Sequence, residues 1–137
     1  MTACLGAGLD VIEPCGFPLS DRALRRAAMD YADRAEVVRH DSWTAFRAAR
    51  AGARLVLFTT RAAEPLHRFA FRPDDVLLFG RESAGVPDEV HAAADARLVV
   101  PIRPETRSLN VVTAAAIALG EALRQTGGFP PPPVAAA

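Results

Sequence analysis

"VLLFGRESAGVP", residues 76–87, sets a four-residue apolar run, Val76 to Phe79, against Gly80 and a stretch with no hydrophobic period. Such a run stopped by glycine reads as a buried strand. A glycine at a strand end lets another group approach the main chain closely. Gly85 suits the positive φ that turns a loop, and Pro87 is placed to open a helix. Glu82 in such a loop braces amides and neighbouring side chains rather than moving protons. Strand, tight loop and helix in that order form one step of an α/β fold.

The same step recurs on both sides. Short β-rich runs at 9–14 (LDVIEP), 35–40 (AEVVRH), 53–60 (ARLVLFTT) and 97–102 (RLVVPI) read as strands. Helical spacing falls at 20–32, at 41–52 behind a capping Asp41, at 87–94, and at 108–128, which ends on paired glycines. The last helix is apolar nearly all round, which predicts burial, with Ser108 as its cap and Asn110 tying down the adjoining loop. The alternation predicts an α/β domain, a mostly parallel sheet flanked by helices, over 1–128. A proline-rich tail, 129–137, is expected to be extended and mobile. Such sheets carry ligands at the carboxyl ends of their strands. Phe58-Thr59-Thr60, Phe79 to Glu82 and Val100 to Pro104 are therefore expected to form one rim.

Composition narrows the function. The chain has 137 residues, half of them hydrophobic, and a formal net charge of zero. No global field attracts nucleic acid or membrane, so any basic surface must be local. No apolar run approaches the roughly 18 residues of a membrane span. Cys4 and Cys15, without a CxxC, read as reduced thiols of a cytoplasmic protein. His40, His67 and His91 lack metal-ligand spacing, read as surface or loop residues, and predict no metal. Two apparent motifs fail on context. LGAGLD (5–10) has neither the preceding strand nor the third glycine of a dinucleotide fingerprint. RESAG (81–85) lacks the leading glycine of a nucleophile elbow, and Pro87 follows too soon for its helix.

A second stretch, PETRSLNVVTAAAIALGEALRQ (104–125), places Arg107, Ser108 and Asn110 where an irregular segment enters the last helix. Helix N-termini present unpaired amides to polar groups. LLFGRESAGVP and IRPETRSLN, in this order and at this separation, resemble the second and third motifs of the SPOUT superfamily of RNA methyltransferases. Residues 10–31 (DVIEPCGFPLSDRALRRAAMDY) are similar to a further stretch of its small single-domain tRNA wobble-nucleotide 2′-O-ribose methyltransferases. The likeness covers almost all of the chain before the proline tail.

The resemblance implies a C-terminal deep trefoil knot, S-adenosylmethionine as cofactor, a homodimer, and transfer of a methyl group to a ribose 2′-hydroxyl of tRNA, at cytidine or uridine 34. Carried over by motif, the cofactor contacts are Phe58, Gly80, Val100, Ile102, Ser108 and Leu109, with Glu82 and Asn110 shaping the site. Arg103 and Arg107 lie near enough to meet substrate. Arg22, Arg25 and Arg26 share one helix face and read equally as tRNA contacts or as a solvated basic face paired with Asp21 and Asp30. The family's first motif, of the PxNxGNxxR type, carries an arginine that helps activate the hydroxyl. Its place falls before Met1, so no catalytic residue is assigned. The expectation is of an N-terminally truncated chain that binds the cofactor weakly and transfers methyl groups slowly. Other readings are an rRNA 2′-O-methyltransferase, a non-catalytic RNA-binding or dimerisation remnant of the same fold, and a generic small-molecule-binding α/β domain.

Overall fold

A computed structural model of the chain describes residues 1–15, 34, 36–81 and 84–135. The helix expected at 20–32, with Arg22, Arg25 and Arg26, lies outside the described residues, as do Glu82 and Ser83. The described elements run α1 (Thr2–Leu5), β1 (Leu9–Ile12), β2 (Val37–His40), α2 (Trp43–Ala49), β3 (Leu55–Phe58), β4 (Glu64–Pro65), β5 (Val76–Phe79), α3 (Asp88–Ala93), β6 (Ala96–Val99) and α4 (Val111–Thr126).

Every strand pairing among these is parallel, in two sheets. β1 pairs with β2, Leu9 opposite Val37 and Ile12 opposite His40. The larger sheet has the order β4-β6-β3-β5. The all-apolar β3, LVLF, is buried along its whole length, as a central parallel strand covered on both faces must be. Phe58 lies opposite Phe79 on one side and opposite Leu98 on the other. After β3 the chain visits the far edge at β4, returns to the opposite edge at β5, then enters between β4 and β3 as β6. The carboxyl ends of β3, β5 and β6 thereby become neighbours.

Side chains alternate across β3, because successive residues of a strand face opposite ways. Val56 and Phe58 pack with Leu66, Phe71, Leu98 and Ala118 of α4. Leu57 packs with Leu78 and with Val90 and Ala94 at α3, and Ile12 and Trp43 join that cluster from β1 and α2. The apolar packing therefore connects the small ladder to the large sheet.

The helix ends differ from expectation in instructive ways. α2 is capped by Ser42, whose Oγ accepts from the Ala45 amide at 3.0 Å; Asp41 stands one residue too early to reach it. Pro87 is the cap residue of α3 rather than its first helical residue. α4 starts at Val111, not 108, because Asn110 Oδ1 accepts from the Val112 and Thr113 amides at 2.9 and 3.3 Å. Asn110 is therefore the cap, and Ser108 belongs to the preceding segment. Gly127, at φ 67°, closes the other end.

Burial also corrects two expectations. Within one chain α4 is not enclosed: Ala118 is buried, but Val112 is 60 % and Ile117 42 % exposed. His40 is not a surface residue but is buried, with Nε2 2.7 Å from Asp10 Oδ1. Arg50 binds the same carboxylate through Nε and Nη2 at 3.1 and 2.9 Å. Burial alone would raise the Asp10 carboxyl, but the hydrogen bonds from Arg50 and His40 outweigh it and hold the group below its usual range. Gln125 fastens α4 to the loop before β5. Its Oε1 accepts from the Phe71 amide, and its Nε2 donates to the Phe69 carbonyl, both at 2.9 Å.

Candidate functional site

At the carboxyl ends of β3, β5 and β6 the structure has a cleft of about 420 Å³. Its walls are Phe58, Thr59 and Thr60 at the end of β3, Phe79, Gly80 and Arg81 at the end of β5, and Val99, Val100 and Ile102 at the end of β6. Gly85 and Val86 close one side. Ser108, Leu109 and Asn110 lead into the first turn of α4, which adds Val111 and Ala114. Phe58, Gly80, Val100, Ile102, Ser108, Leu109 and Asn110, singled out from sequence, thus border one space. Glu82 falls outside the described residues. Arg103 and Arg107 sit on the same connection but do not line the cleft. The Arg103 side chain is 85 % exposed and reaches Glu105 at 3.0 Å.

Local physics explains the walls. Thr59 continues the main-chain ladder by donating to the Leu98 carbonyl at 2.9 Å, which holds the β3 end beside β6. Phe58 and Phe79 stack with ring centres 5.0 Å apart, giving the cleft a flat apolar floor. The β5–α3 loop is a closed loop rather than an open turn. The Arg81 amide donates to the Gly85 carbonyl at 3.1 Å, and the Gly85 amide donates to the Arg81 carbonyl at 2.8 Å. Gly85 has φ +66°, the left-handed value expected of it.

The structure adds a steric reason for Gly80. A Cβ there would overlap the Gly85 carbonyl carbon and come within 2.8 Å of its Cα. Gly80 is needed because the Gly85 main chain folds back onto it. Val86, Val111 and Ala114 are lining residues that the sequence did not reveal. Apolar residues at a helix start carry no signal separating core from ligand wall.

The cleft is otherwise neutral. Among its described lining residues only Arg81 is charged, and none is a carboxylate. Among the described residues no group of three or more His, Cys, Asp or Glu could hold a metal ion, and no helix is long and apolar enough to cross a membrane. Such a space suits a mostly apolar, planar ligand bound through main-chain groups, at a volume within the usual range for small-molecule sites.

The chain matches the model of the SpoU rRNA Methylase family over residues 1–120. It is 61% identical over 131 residues to the tRNA (cytidine(34)-2′-O)-methyltransferase of Beijerinckia indica subsp. indica, covering 94% of this chain and 82% of that protein. A solved structure concerned with 2-OH methylation of C/U34 on tRNA superposes with a TM-score of 0.83 at 42% identity, covering 90% of this chain and 82% of that one. An AdoMet-bound rRNA methyltransferase from Sinorhizobium meliloti superposes with a TM-score of 0.76 at 27% identity, covering 90% of this chain and 48% of that one.

Proposed function

Because the chain belongs to the SpoU methylase family, we infer that it is a tRNA 2′-O-methyltransferase that uses S-adenosylmethionine to modify nucleotide 34, cytidine or uridine. The observation that carries the reading is the meeting of three strand ends and the start of α4 around one neutral cleft. The residues present fit the cofactor. Val100, Ile102 and Leu109 offer aliphatic walls for an adenine, while the chain turns at Phe58, Gly80 and Ser108 bring main-chain groups to the rim.

When bound, S-adenosylmethionine would supply an electrophilic methyl group on a cationic sulfur, to be exchanged for the proton of the ribose hydroxyl, which is released to solvent. A ribose hydroxyl is a weak nucleophile at neutral pH, so the protein's first task is to hold it in line with that methyl. The main-chain pairing of Arg81 with Gly85 fixes one side of the cleft. Asn110 fixes the other by holding the first turn of α4. Glu82 and Asn110 are assigned to shaping the site, and Arg22, Arg25, Arg26, Arg103 and Arg107 to holding tRNA.

Three further parts belong to the same reading. The chain after β6 threads through an earlier loop to form a C-terminal trefoil knot. Two chains pair through α4, whose exposed Val112 and Ile117 would otherwise leave apolar surface in water. The protein works in the cytoplasm, where its tRNA is. The reading is tested by incubating the chain, in excess, with tRNA and S-adenosylmethionine and mapping 2′-O-methylation by nucleotide. Modification at 34 is the expected result. Modification of rRNA alone would favour an rRNA enzyme, and none on either RNA would favour a non-catalytic RNA-binding protein.

A further inference from the structure

Arg81 is the only charged side chain among the described residues that line the cleft, and neither the cofactor contacts nor the substrate contacts assigned above include it. It is held at two points. Its main chain pairs in both directions with Gly85. Its Nη2 donates to the Pro14 carbonyl, 67 residues away in sequence, just beyond the end of β1. The guanidinium thus lies between the loop after β5 and the segment after β1, exposed to solvent.

Other arginines have anionic partners. Arg54 is gripped by both oxygens of Asp75 at 2.6 and 2.7 Å, Arg103 by Glu105 at 3.0 Å, and Arg61 faces Asp88 at 3.5 Å. Among the described residues no carboxylate pairs with Arg81. An arginine carries five N–H donors in a planar fork. With one given to a carbonyl, an edge remains for two parallel bonds to a phosphate. The anchored guanidinium gives up less freedom on binding than a loose side chain would. The cofactor's sulfonium repels a guanidinium, whereas its methionyl carboxylate would attract one, so binding of S-adenosylhomocysteine is the control that separates the two partners. In a chain of zero net charge, a cleft cation with no carboxylate partner among the described residues is a local attraction for a polyanion.

We propose that Arg81 is a substrate-positioning residue: it binds a backbone phosphate of the RNA next to the target ribose and sets the 2′-hydroxyl at the cleft. The proposal rests on the tRNA methyltransferase reading. Phosphate contacts fix register and orientation without reading sequence, so Arg81 governs how well any tRNA is held, not which base is chosen.

The test uses Arg81→Gln and Arg81→Lys in the full chain, with a tRNA transcript carrying cytidine 34 and with S-adenosylhomocysteine. Arg81→Gln is expected to raise KM for tRNA roughly tenfold, the scale of one charge-assisted contact. It should lower the slope of log affinity against log salt by about 0.7–1, the value for one lost phosphate contact. Affinity for S-adenosylhomocysteine should not weaken. Arg81→Lys keeps the charge and should keep the wild-type salt slope. An unchanged slope in Arg81→Gln, or a loss of S-adenosylhomocysteine affinity equal to the loss for tRNA, would show a clasp that only braces the cleft and would overturn the proposal. A wild-type chain that neither binds S-adenosylhomocysteine nor methylates tRNA would instead overturn the functional reading, and the proposal with it.

Discussion

At the scale of single residues, Gly80 shows how a loop's closure can demand a glycine. The space a side chain would need is filled by the Gly85 main chain. Gly80→Ala must displace the Gly85 main chain. Calorimetry should find affinity for S-adenosylhomocysteine at least tenfold weaker, with the far-ultraviolet circular dichroism unchanged. An unaltered affinity would mean that the loop does not touch the cofactor. Asp75 illustrates a second residue-level effect. Burial would raise its carboxyl, but the hydrogen bonds from Arg54 and from the Arg72 amide hold it below the ordinary 3.8. A depressed carboxylate contributes stability that is present above its unfolded pKa and lost as pH falls through the folded one. Asp75→Asn should therefore be less stable than wild type at pH 7. The gap should narrow as pH falls below about 4. Denaturant titrations at pH 7 and pH 3 check this, and a gap that stays constant contradicts it.

At the scale of elements, the first turn of α4 closes one side of the site, and the helix carries most of the surprises. Its length and apolar character were legible, since 108–128 has no proline and ends on Gly127 and Gly128. Its start was not, because Ser108 and Asn110 are both good caps and only three dimensions show which oxygen reaches Val112 and Thr113. The same ambiguity between adjacent capping residues moved the start of α2 from Asp41 to Ser42. Strands were easier. Val76–Phe79 stood out because glycine ended it, whereas Glu64–Pro65 is a two-residue edge strand whose proline argues against any strand. Burial of α4 was misjudged for a physical reason. An apolar circumference predicts burial but does not say whether the chain itself or a second copy covers each face. Ile117→Lys places a charge on the exposed stripe and, if two chains pair there, should convert a dimer to monomers in sedimentation velocity. Sedimentation unchanged by the substitution would exclude that face as the contact.

At the scale of the whole molecule, the order β4-β6-β3-β5 decides where chemistry can occur. Placing β6 between β4 and β3 brings the segments after Phe58, Phe79 and Val99 side by side, and α4 then caps the gap. A rim at the strand ends was readable from the unusual residues that follow each apolar run, Thr59-Thr60, Gly80 and Pro101. What no run of residues discloses is the crossing of Arg81 to the Pro14 carbonyl. In the sequence Arg81 is only a residue that spoils a nucleophile elbow, and its partner is a main-chain oxygen with no signature. The His40–Asp10–Arg50 cluster was hidden for a similar reason, since its members are 10 to 40 residues apart and none follows a motif. The central claim is that the cleft beside Gly80 and Ser108 holds the cofactor. Backbone amide NMR during titration with S-adenosylhomocysteine tests it most directly. The account predicts shifts concentrated at 58–60, 80–81 and 100–111, with Leu9–Ile12 and Val37–His40 unmoved. Shifts concentrated in those two strands, or none at saturating ligand, would contradict it.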